Sequence, residues 1–257
     1  MNGSKQQNQT ERIRQILVIL ATAGMIIINY LAGTGSINDT TPGDISGKYP
    51  TLITPADYAF SIWGLIYFGM ILFSVYQALP SQAAKPYFLR TRTIYIASCA
   101  ANCAWIYFWL NERILIAAAV IFILLAALAF INLNLKGANS FAETWLARVP
   151  FGIYFGWVTV ASIINAAVAL VFAGVEASNT TATVWACVLI AVAAILGVLI
   201  RWKLGIGVYA LTIAYALTAI AVKQSGKTLI VTFCAFGVIA LLIAFFTPFL
   251  HLEESRG

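Results

Sequence analysis

Three groups of residues in this chain have side chains that need a partner but sit where lipid offers none. They are Phe60-Ser-Ile-Trp63-Gly-Leu-Ile-Tyr67, Asn102-Cys-Ala-Trp105, and Trp157 with Asn165, each inside a long apolar stretch. An indole N–H or a carboxamide within a bilayer turns toward neighbouring helices or toward a cavity. The chemistry such groups can do is recognition: stacking on ring faces and hydrogen bonding at a few points. Two arrangements satisfy them, a ligand cavity or a packed polar-aromatic core. Bond-making chemistry finds no support. The sequence offers no nucleophile with a base at a telling spacing. Its single His, His251, falls beyond the last apolar run and reads as a solvated tail residue.

The elements that carry these residues follow from composition. Of 257 residues, 61% are hydrophobic and only 9% charged, against about 25% charged in a globular domain. This composition predicts an all-α, polytopic membrane helix bundle. The net charge of +6 implies no nucleic-acid partner, because the basic residues lie between apolar runs, where they set orientation. Cys99, Cys103, Cys187 and Cys234 all lie within apolar runs and lack a Cys-x-x-Cys pattern, so they read as buried, inert thiols and not as metal ligands.

Apolar stretches long enough to span a bilayer place eight helices near residues 13–32, 55–79, 89–110, 114–135, 144–172, 182–200, 205–222 and 228–250. Residues 1–12 read as a disordered cytoplasmic N-terminus and 251–257 as a cytoplasmic tail. The long polar loop is 33–54. Thr54-Pro55-Ala56-Asp57 predicts a capped start for the second span, with Asp57 bonding back to the Thr54 cap. With eight spans, Lys5, Arg12, Arg14, Lys85, Arg90, Arg92, Lys136, Arg148, Arg201, Lys203 and Arg256 fall on the side of the N-terminus. Only Lys48, Arg113, Lys223 and Lys227 fall on the other. The positive-inside rule then makes both termini cytoplasmic, in a plasma (inner) membrane, with loop 33–54 facing out.

At 1.5 Å per residue, Trp63, Asn102 and Trp157 each come about 12 Å below the outer edge. Phe60, Trp63 and Tyr67 share one stripe, as do Asn102, Trp105 and Trp109, and Tyr154, Trp157, Ala161 and Asn165. Gly152-x-x-x-Gly156 permits close helix approach or leaves room for a ligand. Trp109, Trp145, Trp185 and Trp202 lie near predicted helix ends and read as an aromatic belt. Asn102 has a plainer reading too, a hydrogen bond across a helix interface. Tyr209, Thr212 and Ala216 share a face of the seventh span, which suits packing against the first five.

These blocks resemble a known family. Pro55-Ala-Asp-Tyr-Ala-Phe60-Ser-Ile-Trp63-Gly-Leu-Ile-Tyr67, preceded by Gly47-Lys-Tyr-Pro50, is similar to the second-helix signature of the TspO/MBR family. These are the tryptophan-rich sensory proteins related to the mitochondrial translocator protein. Asn102-Cys-Ala-Trp105-Ile-Tyr-Phe108 resembles the family's third-helix pattern. Val149-Pro-Phe-Gly-Ile-Tyr154-Phe-Gly-Trp157-Val-Thr-Val-Ala161-Ser-Ile-Ile-Asn165 resembles its fifth. The resemblance covers roughly 13–173 and implies a five-helix bundle with a cavity beneath the first loop, binding tetrapyrroles, sterol-like molecules or benzodiazepine-type ligands. It implies that Phe60, Trp63, Tyr67, Asn102, Trp105, Trp157 and Ala161 line that cavity, with loop 33–54 as lid; Asn165 continues the fifth-helix pattern. The helices of 174–250 have no counterpart in the five-helix form.

The expectation is therefore a membrane protein that senses or transports an apolar, ring-shaped metabolite. No cofactor is required, although protoporphyrin or haem is a candidate bound tetrapyrrole. Lipid and a small apolar ligand are its partners, and an oligomer is compatible with the sequence. Two alternatives stand beside this reading. A secondary transporter would need a coupling site, and no mid-membrane carboxylate or Lys is evident. A tetrapyrrole-degrading enzyme would need a catalytic set.

Overall fold

The computed structural model describes the backbone of residues 2–175 and 177–254, with side chains described over 9–175 and 177–247. No strand occurs among the described residues. The chain is a succession of helices: α1 (Asn2–Gly33), α2 (Pro42–Lys48), α3 (Ile62–Ala78), α4 (Pro86–Leu110), α5 (Ile114–Asn134), the single turn α6 (Phe141–Glu143), α7 (Val149–Phe172), α8 (Asn179–Leu204), α9 (Gly207–Lys223) and α10 (Thr228–Glu254). In hydrocarbon every backbone N–H needs an internal acceptor, and the helix supplies it within one segment.

All eight expected spans are helical, and seven segments among the described residues are long and apolar enough to cross a membrane. The exception is α9, with 17 residues, about 26 Å at 1.5 Å per residue and so at the short end of the spanning range. Residues 2–12, expected to be disordered, continue α1. Glu11, buried against Arg92, gives that first stretch an anchor. At the other end α10 runs to Glu254, so 251–254 are helical. The side chain of His251 lies outside the described residues.

The expected cap at the start of the second span is corrected. Ala56 is extended and makes no side-chain cap, and a 3₁₀ turn, Asp57–Ser61, precedes α3. The Ala56 N–H donates to the Ala219 carbonyl at 3.0 Å, which takes this stretch away from helical geometry. The same four-residue pattern occurs earlier, as Thr41-Pro42-Gly43-Asp44, and there it does form a reciprocal cap. The Thr41 N–H and hydroxyl both donate to the Asp44 carboxylate at 2.8 Å, and the Asp44 N–H donates to the Thr41 hydroxyl at 3.2 Å. It starts α2, inside the loop expected to be the lid. These bonds hold the Asp44 carboxyl below its ordinary pKa.

Ahead of α7 the helical ladder widens to a π turn over Thr144–Arg148. Pro150 follows two residues later with no N–H to give, and a wide turn accommodates it. A capping box of Ser140 and Glu143 begins this segment, and Lys85 closes on the same carboxylate at 2.6 Å.

The chain forms two compact units, Met1–Ile45 with Trp63–Phe151, and Ser46–Ile62 with Gly152–Gly257. The boundary expected at 173/174 does not coincide with this division: from Gly152 onward α7 groups with α8, α9 and α10.

In the first unit α1 packs along α4. Glu11, Gln15, Val18, Thr22, Met25, Asn29 and Ala32 are all buried, a seven-residue spacing that makes one seam. Its polar members meet α4 in rungs: Glu11 with Arg92 at 3.0 Å, Thr22 with Tyr95 at 2.8 Å, Asn29 with Asn102 at 2.6 Å. Rising partner numbers on both sides mean the two helices run parallel. Arg92, counted from sequence among the charges on the side of the N-terminus, is fully buried. Its guanidinium donates to Gln77 Oε1, Glu11 Oε2 and the carbonyls of Ala83, Gln77 and Gln82. Arg presents five N–H donors, and here five bonds meet them.

In the second unit α9 is the inner helix, with Tyr209, Ala210, Ile213, Ala216 and Ala219 at 0% exposure. It packs with both α8 and α10. Gly152 and Gly156 of α7 let α9 approach. A Cβ at Gly156 would stand 2.9 Å from the Tyr209 carbonyl oxygen and 2.9 Å from Thr212 Cβ, and one at Gly152 would stand 2.5 Å from Ile206 Cγ2. Of the two roles open to this glycine pair, close helix approach is the one it performs. The Tyr209 hydroxyl lies 2.9 Å from that of Thr159, and its ring 4.7 Å from Phe155.

Candidate functional site

The eight candidate residues divide between the two units. Trp63, Tyr67, Asn102 and Trp105 belong to the first; Phe60, Trp157, Ala161 and Asn165 belong to the second.

In the first unit the rings form a ladder. Trp63 stacks on Tyr67 one helical turn below it, with centroids 5.5 Å apart and planes 20° apart. Trp63 also stacks on Trp105 of α4 at 6.4 Å and 27°, and Trp105 on Trp109 at 6.2 Å and 29°. The i, i+4 spacings within α3 and α4 bring each pair onto one face. Near-parallel, offset rings at these separations are favourable stacks. Trp105 and Trp109 are buried, whereas Trp63 and Tyr67 are only half-buried.

Trp109 corrects the belt assignment. It is 3% exposed, and its indole N–H donates to the Pro42 carbonyl at 3.1 Å. It therefore ends the ladder and fastens the start of α2 to α4. Trp145, Trp185 and Trp202 are 55%, 60% and 63% exposed, as a belt requires. The signal that separated Trp109 was already present: it continues the Asn102, Trp105 stripe.

Asn102 is fully buried, and its Oδ1 accepts from Asn29 Nδ2 at 2.6 Å. Asn29 also donates to its own helix at Met25 O. The plainer reading of Asn102, a bond across a helix interface, is thus present in the structure. Asn29 had no place in the sequence reading; a lone carboxamide within the run Met25–Leu31 was its signal. Lower on the same seam, Thr22 bonds Ser74 at 2.6 Å and Tyr95 at 2.8 Å.

In the second unit Phe60 stands edge-on to Trp157, with centroids 6.1 Å apart and planes at 85°. Phe60 reaches Trp157 from the 3₁₀ turn, not from the body of α3. Asn165 donates to the Ala161 carbonyl on its own helix at 2.9 Å. Trp157 and Asn165 are each 3% exposed. An aliphatic cleft elsewhere in this unit, with Ile53, Val160, Ile164, Leu189, Leu217 and Ile220 among its walls, contains none of the candidate residues.

The described residues contain no cluster of His, Cys, Asp and Glu fit for a metal. Cys99, Cys187 and Cys234 are buried, Cys103 is half-buried, and all four are free thiols. Asp57, expected to cap a helix, instead places its exposed carboxylate 3.3 Å from Lys223 Nζ.

An all-helical chain with this many apolar spans is an integral membrane protein. The family model of the TSPO-like proteins matches residues 15–247, and the chain belongs to that family. That places it among membrane ligand-binding and sensory proteins. The match extends well past residue 173, so α8, α9 and α10 lie within the family's reach and are not an appendage to a five-helix match. Neither the curated proteins nor the solved structures yield a match.

Proposed function

We propose that this TSPO-like protein binds a planar, apolar ring molecule, a tetrapyrrole such as protoporphyrin or a sterol-like metabolite, and senses or transports it. The observation that carries this reading is the ladder Tyr67–Trp63–Trp105–Trp109 in the first unit. Its outer members, Trp63 and Tyr67, remain partly accessible. A flat conjugated ligand gains most from a wall of parallel rings, and stacked or offset aromatic contacts add to the area it buries. Asn102 supplies polarity beside Trp105. Phe60, Trp157, Ala161 and Asn165 form the corresponding candidate cluster of the second unit. The loop 33–54 acts as lid, with Trp109 as its anchor point. The protein works in the plasma membrane with both termini cytoplasmic.

The test is equilibrium titration of the purified protein with protoporphyrin, followed by quenching of tryptophan emission. Wild type is expected to quench saturably, and Trp63→Ala and Trp105→Ala to weaken binding by about tenfold or more, an aromatic contact being worth about 1 kcal/mol beyond its area. Quenching that does not saturate, or that is the same in wild type and both variants, refutes the reading.

A further inference from the structure

The stretch that leads into α3 is fastened to α9 at three consecutive residues. The Ala56 N–H donates to the Ala219 carbonyl at 3.0 Å. Asp57 lies 3.3 Å from Lys223 Nζ. The Tyr58 ring meets that of Tyr215 edge-on at 6.3 Å, and the Tyr58 carbonyl accepts from the Tyr215 hydroxyl at 3.4 Å. On α9 the three partners stand at i, i+4 and i+8, one stripe of a helix. All of these contacts lie within the second unit.

The two side-chain points of the fastening are exposed and weak, while the third is a backbone bond to the buried Ala219. Asp57 and Tyr58 are 96% and 50% exposed, and an ion pair in the open contributes little. The turn they begin, Asp57–Ser61, is a single 3₁₀ element with poor intrinsic stability. Two residues beyond Tyr58 on that turn is Phe60, edge-on to Trp157. The helix that bears Trp157 is locked to α9 through Gly156, Thr159, Tyr209 and Thr212. So α9 holds the Trp157 helix by a tight seam, and holds the strap that carries Phe60 by one backbone bond and two exposed side-chain contacts.

We propose that the Tyr215–Ala219–Lys223 stripe of α9 is a clamp that sets where Phe60 stands against Trp157, and that its release admits ligand to that pair. Tyr215 and Lys223 are positioning residues acting through the strap. The admission of ligand rests on the function proposed above; the clamp itself does not.

The test uses the full-length protein and two readouts that need no ligand. One is hydrogen exchange over residues 51–61. The other is fluorine NMR of protein labelled with fluorotryptophan, in which the Trp157 resonance is identified by its loss in Trp157→Phe and its response to a missing ring is calibrated with Phe60→Ala. Tyr215→Ala is expected to speed exchange over this segment by about tenfold, as for a local opening. It is also expected to move the Trp157 resonance toward its position in Phe60→Ala. Lys223→Glu does the same more weakly, and adding Asp57→Lys to it restores both readouts. These two exposed sites keep the test valid if Tyr215→Ala fails to fold. With protoporphyrin, association and dissociation both quicken in the released variants.

Exchange and resonance unchanged in the single variants overturn the clamp, as does a resonance that stays put while exchange rises. Protoporphyrin kinetics that match wild type in a released variant overturn the gating half. A wild type that binds no protoporphyrin removes the ligand reading alone, and the two ligand-free readouts still decide the clamp.

Discussion

Asn29 of α1 donates its side-chain amide to the Asn102 carbonyl oxygen at 2.6 Å, and both residues are buried. The bond joins two helices separated by the whole of α2 and α3 in sequence. It also orients the one carboxamide that lies beside the tryptophan ladder. A polar bond between membrane helices contributes about 0.6 kcal/mol on average and up to about 1.7. A double-mutant cycle of Asn29→Ala and Asn102→Ala, read from reversible unfolding in detergent or bicelles, is expected to give a coupling in that range. Strictly additive losses would mean that the two side chains act independently.

The Arg92 node predicts a larger effect. Arg92→Met leaves the buried Glu11 with only the partly exposed Arg14 as ion-pair partner and strips donors from the Gln77 and Gln82 carbonyls. Breaking a buried pair from one side costs about 3–5 kcal/mol. Arg92→Lys recovers the charge but not the planar fork, so it is expected to fall between wild type and Arg92→Met. Thermal midpoints of the three proteins check the order.

Two glycine substitutions of opposite consequence test the α7–α9 seam. Gly156→Ala drives a methyl against the Tyr209 carbonyl and Thr212, and overpacking of this kind costs about 1–3 kcal/mol. Gly64→Ala, with nothing within 4 Å of the new methyl, is expected to be neutral or to stabilise α3 by about 0.5–1 kcal/mol. Equal effects of the two changes would show that the seam is not close-packed.

The loop that contains α2 carries a pH signature through Asp44. Its folded pKa lies below the ordinary value because Thr41 donates twice to the ionised form. A depressed carboxyl pKa stabilises the folded state at pH above the unfolded value, and that contribution is lost as pH falls through the folded one. Hydrogen-exchange protection of residues 41–48 is therefore expected to hold constant from neutral pH down to about 4 and to decline below it. In Asp44→Ala protection is low throughout. Protection in wild type that is insensitive to acid would show that the cap does not order α2.

Trp109→Phe keeps a ring in the ladder but removes the donor to Pro42. Faster exchange in residues 38–48, with stacking on Trp105 retained, is the expected outcome. An unchanged loop would mean that Thr41 and Asp44 order it alone.

The pattern of the sequence was sufficient for everything that one segment decides by itself. Eight apolar runs became eight helices, because a backbone in lipid must close its own hydrogen bonds whatever its neighbours are. The spacing of Trp63 and Tyr67, and of Asn102, Trp105 and Trp109, placed each set on one side of its helix, because helical geometry is periodic. The family followed from those same blocks.

What depended on a distant partner was out of reach. Thr-Pro-x-Asp occurs twice; it caps α2 at Thr41, but at Thr54 the neighbouring Ala56 N–H goes to Ala219, more than 160 residues away. Arg92 counted in the sequence only as a charge on the side of the N-terminus, and its burial appeared once Glu11, Gln77 and two carbonyls of the turn after α3 closed around it. Trp109 had the position of a belt residue and the surroundings of a core one. A side chain's periodicity is written locally, whereas its burial and its hydrogen-bond partner are properties of the packed chain. Tertiary structure alone therefore decided which polar residues became part of a buried seam and which remained at the surface.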